Sequence, residues 1–136
     1  MGRALGRVFL RPEADLLVPV PLHKGSTRAF NQSLAVAEGI SKEWGIPARE
    51  CLVWRAQRET QTSLGLEERK KMPCDAFSPL PKTLAGRRVV LVDDVATTGA
   101  TFQRAANAVA RGGAAPILAL SWTYASRTKE RSRAVR

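Results

Sequence analysis

Val89-Val90-Leu91-Val92-Asp93-Asp94-Val95-Ala96-Thr97-Thr98-Gly99-Ala100-Thr101 is the stretch from which the rest of the chain can be read. Four aliphatic residues, three of them β-branched, predict a buried strand over Val89 to Val92. Two adjacent carboxylates stand at its C-terminal end, where open α/β sheets bind ligands. A loop of small hydroxyl residues with one glycine follows, and a helix is predicted from about Ala100 to Ala110, ended by Gly112-Gly113. Glycine lets backbone N–H groups approach an anion closely, and a helix N-terminus adds partial positive charge. Such a loop can hold a phosphate monoester. The carboxylates before it can accept hydrogen bonds from sugar hydroxyls or reach a metal bound to them. The plainer alternative is a solvated Asp-Asp turn with Thr98 as helix N-cap, and N-capping can coexist with phosphate binding.

Working outward, Leu16-Leu17-Val18-Pro19-Val20 reads as a short buried strand, confined by Pro19 and Pro21 to an edge or a strand end. A helix is predicted from near Asn31 to Trp44, with Leu34, Ala37, Ile40 and Trp44 on its apolar face. Gly45 and Pro47 stop it. Cys51 to Trp54 is a further strand candidate. Residues 55 to 75 crowd Arg55, Arg58, Glu59, Glu67, Glu68, Arg69, Lys70 and Lys71 into a segment with few apolar anchors. This is either a mobile excursion that closes over a ligand or a charged, exposed hairpin. Pro79 and Pro81 read as a linker-like turn, and Pro116 to Leu120 as a last strand. Strands alternating with helices imply a parallel α/β sheet.

Composition sets the bounds. The 136 residues suit one domain, and 44% hydrophobic content is enough for a packed core. No apolar run is long enough to cross a bilayer, so no membrane partner is expected. Met1 to Leu10 carries Arg3 and Arg7 without a continuous apolar stretch, so no signal peptide is expected. Cys51 and Cys74 form no metal-spaced or redox motif and read as unpaired thiols, which favours the cytoplasm. The formal charge of +10 suits polyanionic partners, either nucleic acid or a ligand with several phosphates. Part of that excess lies in the segment from Ser126 to Arg136, read as a basic C-terminal tail beyond a domain spanning 1–125. No interleaved aromatic and basic stripe of the kind used by single-strand platforms is visible.

The Val89–Thr101 segment resembles the motif for phosphoribosyl pyrophosphate (PRPP) in type I phosphoribosyltransferases, nearly residue for residue. Val18-Pro19-Val20-Pro21-Leu22-His23, then Arg28-Ala29-Phe30-Asn31-Gln32, look like the PVPLH and RGFNQ patterns of the ComF group, with Ala29 in place of the glycine. Arg58-Glu59-Thr60-Gln61-Thr62, Leu64, Glu68-Arg69 and Ala76-Phe77 follow in that group's order. Met72 stands where an asparagine is usual. ComF proteins commonly begin with a four-cysteine zinc module, which Cys51 and Cys74 cannot supply.

The resemblance implies an α/β type I phosphoribosyltransferase domain, with a mostly parallel central sheet flanked by helices and a flexible loop. It implies that Asp93 and Asp94 contact the ribose 2′- and 3′-hydroxyls directly or through Mg2+, as catalytic and metal residues. It implies that Thr97, Thr98, Gly99, Ala100 and Thr101 wrap the 5′-phosphate. Thr97 replaces an Asp frequent in purine-salvage members, which argues mildly against hypoxanthine or guanine as acceptor. The pyrophosphate loop falls at Leu22 to Thr27, with Lys24 and Arg28 as cationic partners, and Arg58 and Arg69 in the excursion could contact departing pyrophosphate. His23 suits either ligand contact or turn stabilisation. Arg28 could equally be a surface charge, and Asn31 a simple N-cap. Trp44 and Trp54 read as packing residues. Trp122 and Tyr124, after the last strand, suit base stacking or rim packing.

The implied reaction is phosphoribosyl transfer from PRPP to a nitrogenous acceptor with release of pyrophosphate. The alternative is a non-catalytic protein that binds PRPP, a nucleotide or single-stranded DNA in natural competence. A homodimer is compatible with either.

Overall fold

A computed structural model describes residues 1–21, 30–54, 76–96 and 98–124. Among these, β1 (Leu16–Pro19), β4 (Arg88–Ala96) and β5 (Ala115–Tyr124) form a parallel sheet in the order β1-β4-β5. The strand at the centre is the one predicted from Val89 to Val92. It pairs with β1 from Leu16↔Val89 to Pro19↔Val92 and with β5 on its other side. Its four aliphatic residues are buried, and each face has its own partners. Val89 and Leu91 pack with Leu16, Val18, Ala105, Ala108 and Val109. Val90 and Val92 pack with Leu17, Val36, Ala37 and Ile40. A strand covered on both sides needs continuous rather than alternating apolar character.

Helix α2 (Gln32–Trp44) covers one face and α3 (Ala100–Arg111) the other. Asn31 caps α2: its Oδ1 accepts from the Ser33 N–H at 2.9 Å, and its Nδ2 donates to the Val20 carbonyl at 3.1 Å. Gly45 closes the helix in the left-handed conformation at φ 73°. The buried face comprises Ser33, Val36, Ala37, Ile40 and Trp44. Ser33 and Val36 thus stand in the core where the spacing had placed Leu34.

Three features differ from the sequence reading. β5 runs to Tyr124, so Trp122 and Tyr124 belong to the strand and do not follow it. β2 (Leu52–Trp54) pairs antiparallel with β3 (Phe77–Pro79) in a separate two-stranded sheet. Pro79 is therefore the end of a strand and not a linker, because Phe77 is fully buried and packs its ring against Trp54 at 4.7 Å between centroids. Finally, α1 (Gly2–Val8) was not foreseen. It lies against α2 so closely that a Cβ on Gly2 would stand 2.0 Å from the Val36 carbonyl oxygen, and one on Gly39 2.7 Å from the Arg3 nitrogen. Trp44 Nε1 donates to the Gly6 carbonyl at 2.8 Å, and Arg3 meets Glu43 at 2.7 Å. Cys51 is buried with a free thiol, as expected. The 55–75 excursion, Cys74 and the 126–136 tail lie outside the described residues.

Candidate functional site

The end of β4 carries the site. β1 stops at Pro19, and the Val20 N–H still donates to the Val92 carbonyl at 2.9 Å. Beyond this point β4 has only β5 beside it among the described residues, with Asp93↔Ser121 and Val95↔Thr123 in register. The two carboxylates therefore emerge where the sheet loses a strand and α2 begins.

Asp93 is buried. Its Oδ1 accepts two hydrogen bonds at 2.8 Å, from the Ser33 hydroxyl and from the Asp94 N–H. Burial pushes the Asp93 carboxyl up to about 6, against the lowering effect of the Ser33 bond, and the neighbouring Asp94 charge adds to the rise. Asp94 is half-buried, and its Oδ1 accepts from the Val95 N–H at 2.9 Å. Neither acid is an isolated turn residue; both belong to the strand, which continues to Ala96.

The anion-binding half of the site is the start of α3. Gly99 is its N-cap, at φ 85°. Among the described residues a Cβ there would meet no atom within 4 Å, so the left-handed backbone rather than crowding by these residues calls for glycine. Thr98 is not the N-cap; its Oγ1 accepts from the Ala100 N–H at 3.2 Å. The first intrahelical bond is Gln103 N–H to the Gly99 carbonyl at 2.9 Å. Backbone N–H groups of the first turn have no intrahelical acceptor and aim along the axis with the positive end of the helix dipole. Thr98, Gly99 and Ala100 are exposed and Thr101 half-buried, so this turn is accessible to an anion.

Of the residues singled out in the sequence, the structure brings Asp93, Asp94, Thr98, Gly99, Ala100 and Thr101 together around one strand–helix junction. Thr97, His23, Lys24, Arg28, Arg58 and Arg69 lie outside the described residues. Ser33 escaped the sequence reading. A serine two residues after an N-cap carries no local mark of a contact with an acid 60 positions away.

The donor set bears on a metal. Among the described residues no three His, Cys, Asp or Glu side chains converge as a ready-made site. Two adjacent carboxylates suit Mg2+ in its usual mode, in which one or two acids share the ion with substrate oxygens and water.

A phosphoribosyl transferase domain model matches residues 31–135. The chain is 33% identical over 119 residues to the amidophosphoribosyltransferase of Methanocaldococcus jannaschii, covering 85% of this chain and 23% of that protein. It is 34% identical over 109 residues to the DNA utilization protein YhgH of Escherichia coli, covering 76% and 46%. It is 33% identical over 102 residues to the competence protein ComFC of Bacillus subtilis, covering 74% and 40%. The chain thus spans less than half the length of each of these relatives. Among solved structures, glutamine PRPP amidotransferase from B. subtilis superposes with a TM-score of 0.64 at 24% identity, over 89% of this chain and 25% of that one. Purine phosphoribosyltransferase from Pyrococcus horikoshii superposes with a TM-score of 0.54 at 24% identity, over 93% and 80%. Both share the type I fold of parallel sheet and flanking helices described above, and the chain belongs to the phosphoribosyl transferase domain family.

Proposed function

We propose that the chain binds PRPP at the β4–α3 junction and transfers its phosphoribosyl group to a nitrogen nucleophile. The observation that supports this best is the pairing of two strand-end carboxylates with an accessible, glycine-capped helix N-terminus. In this reading the 5′-phosphate sits on the first turn of α3, held by backbone N–H groups and by the Thr98 and Thr101 hydroxyls. Asp93 and Asp94 orient the ribose through its 2′- and 3′-hydroxyls. The Ser33 hydroxyl holds Asp93 in position and favours its ionised form. At the reacting carbon the C1–oxygen bond to pyrophosphate breaks and its electron pair leaves with pyrophosphate. The C1–N bond forms, and the acceptor nitrogen gives up a proton.

Mg2+ would be held by Asp93 and Asp94 and would supply positive charge against the ligand's phosphates. Lys24, Arg28, Arg58 and Arg69, with His23, are the cationic and hydrogen-bonding groups proposed for pyrophosphate, and Thr97 for the 5′-phosphate. The unit proposed to do this work is 1–125, with 126–136 as a basic extension. The test is PRPP-dependent pyrophosphate release across a panel of bases and amines.

A second reading is favoured by the relatives named for DNA utilization and competence, and by the formal charge of +10. Here the domain keeps the ligand pocket without the transfer chemistry and binds single-stranded DNA electrostatically. Salt-sensitive DNA binding without pyrophosphate release would favour it.

A further inference from the structure

The hydrogen bonds that hold Asp93 pass through one side chain. β1 ends at Pro19, and the Val20 N–H donates to the Val92 carbonyl at 2.9 Å. In a parallel ladder a residue that donates to one position accepts from the position two further on, as Leu17 does between Pro47 and Arg49. The next donor to the Val20 carbonyl in this ladder is therefore the Asp94 N–H. That N–H donates at 2.8 Å to Asp93 Oδ1, and the Val20 carbonyl receives Asn31 Nδ2 at 3.1 Å. The Asn31 amide thus takes the place in the ladder that the strand gives up.

The other atom of the same amide serves α2. Asn31 Oδ1 accepts from the Ser33 N–H at 2.9 Å, and the Ser33 hydroxyl donates to Asp93 Oδ1 at 2.8 Å. Both donors on Asp93 Oδ1 therefore depend on Asn31. One is available because the Val20 carbonyl is occupied, the other because the first turn of α2 is fixed. Capping by itself needs only an acceptor, which Ser or Asp provides about as well as Asn. The bond to Val20 needs a donor on a separate atom, which among these caps only Asn has.

Resting on the phosphoribosyl reading of Asp93 and Asp94, we propose that Asn31 is a positioning residue for ribose recognition. By occupying the Val20 carbonyl it releases the Asp94 N–H to Asp93 and fixes which carboxylate oxygen faces the ligand. With both donors on Oδ1, the reading gives Oδ2 to a ribose hydroxyl. Val20 is 4% exposed, and a buried carbonyl left unpaired costs free energy. Without the Asn31 donor the Asp94 N–H is drawn back to Val20. The ladder then lengthens by one bond, Asp93 loses one of its two donors, and its carboxylate turns.

Calorimetry on the full chain in excess Mg2+ tests this with ribose 5-phosphate and 2-deoxyribose 5-phosphate. The second has the same phosphate and lacks a hydroxyl that the reading assigns to the carboxylates. We expect the wild type to prefer ribose 5-phosphate about tenfold or more, the worth of a hydrogen bond to a charged group. Asn31→Ser retains a helix cap and should melt cooperatively. It should bring the preference to within about threefold of unity with 2-deoxyribose 5-phosphate affinity unchanged. Asn31→Asp, which also caps, should do the same, since its added charge acts on both ligands alike. If these variants keep the wild-type preference, lose both sugars together or fail to fold, the positioning role is wrong and the phosphoribosyl reading stands. If the wild type does not bind ribose 5-phosphate, or binds both sugars equally, that reading fails and the positioning role with it.

Discussion

The Ser33 hydroxyl donates a 2.8 Å hydrogen bond to Asp93 Oδ1, joining the first turn of α2 to the end of β4 across 60 positions of sequence. The carboxyl that receives it is buried and pushed up to about 6 from an ordinary 3.8. The folded protein therefore holds this proton more tightly than the unfolded chain does. By linkage, the group's contribution to stability is fully present below about pH 4 and is lost as pH rises through about 6, an effect of roughly 2–3 kcal/mol. Asp93→Asn should remove that dependence. Chemical denaturation at pH 4 to 8 should show the variant gaining on the wild type with rising pH. A parallel pair of curves would mean that Asp93 titrates normally.

Ser33→Ala probes the same bond from the other side. It withdraws a donor from a buried acid, which costs about 1–3 kcal/mol where the acid is charged. The loss should be larger at pH 8 than at pH 4, because a protonated Asp93 needs the donor less. It should also weaken PRPP binding, through a carboxylate that is no longer held in place. Equal destabilisation at both pH values would reduce Ser33 to a packing residue.

Asp93→Asn combined with Asp94→Asn separates the two functional readings. Mg2+-dependent PRPP binding should disappear while the melting temperature is retained or rises, since functional sites often sacrifice stability. Removing two acids from a basic protein should leave DNA affinity equal or higher, with its salt dependence intact. Calorimetry, melting curves and a salt titration on the one variant suffice. Normal PRPP affinity would remove the carboxylates from the site, and loss of folding would make them structural.

Gly99 and Thr101 test the phosphate cradle. At φ 85° a side chain at position 99 adopts a left-handed backbone, at a cost of roughly 1–2 kcal/mol. Among the described residues a Cβ there meets no atom within 4 Å, so a larger loss in binding is expected from the ligand side. Gly99→Val with Thr101→Ala should lower PRPP affinity by well over tenfold while the protein still melts cooperatively. Affinity equal to wild type would place the phosphate elsewhere.

The α1–α2 contact gives a prediction away from the site. Gly39→Val would set side-chain atoms against the backbone of α1, where even a Cβ stands 2.7 Å from the Arg3 nitrogen. Overpacking of this kind costs about 1–3 kcal/mol. Near-ultraviolet circular dichroism should report Trp44 losing its bond to the Gly6 carbonyl. An unchanged melting temperature would show that α1 contributes nothing to stability.

Local chemistry alone determined several elements. Four consecutive aliphatic residues at 89–92 can only lie where both sides are covered, and they form the central strand. Asn31 and Gly45 mark the ends of α2 because a side-chain acceptor and a left-handed residue meet needs of the helix itself. The run from Asp93 to Thr101 placed two acids before the start of a helix, although the local pattern pointed to Thr98 as its N-cap and the cap is Gly99. Tertiary structure decided what depends on partners distant in sequence. Helix α1 is only seven residues long and carries two glycines, so it owes its existence to the close approach of α2. Strand β3 owes its place to β2 and to Trp54 packing on Phe77, which outweigh the turn signal of Pro79. Ser33 became part of the site only through the crossing of α2 over the sheet, which brings its hydroxyl to Asp93. That relationship leaves no trace in the spacing of residues along one segment.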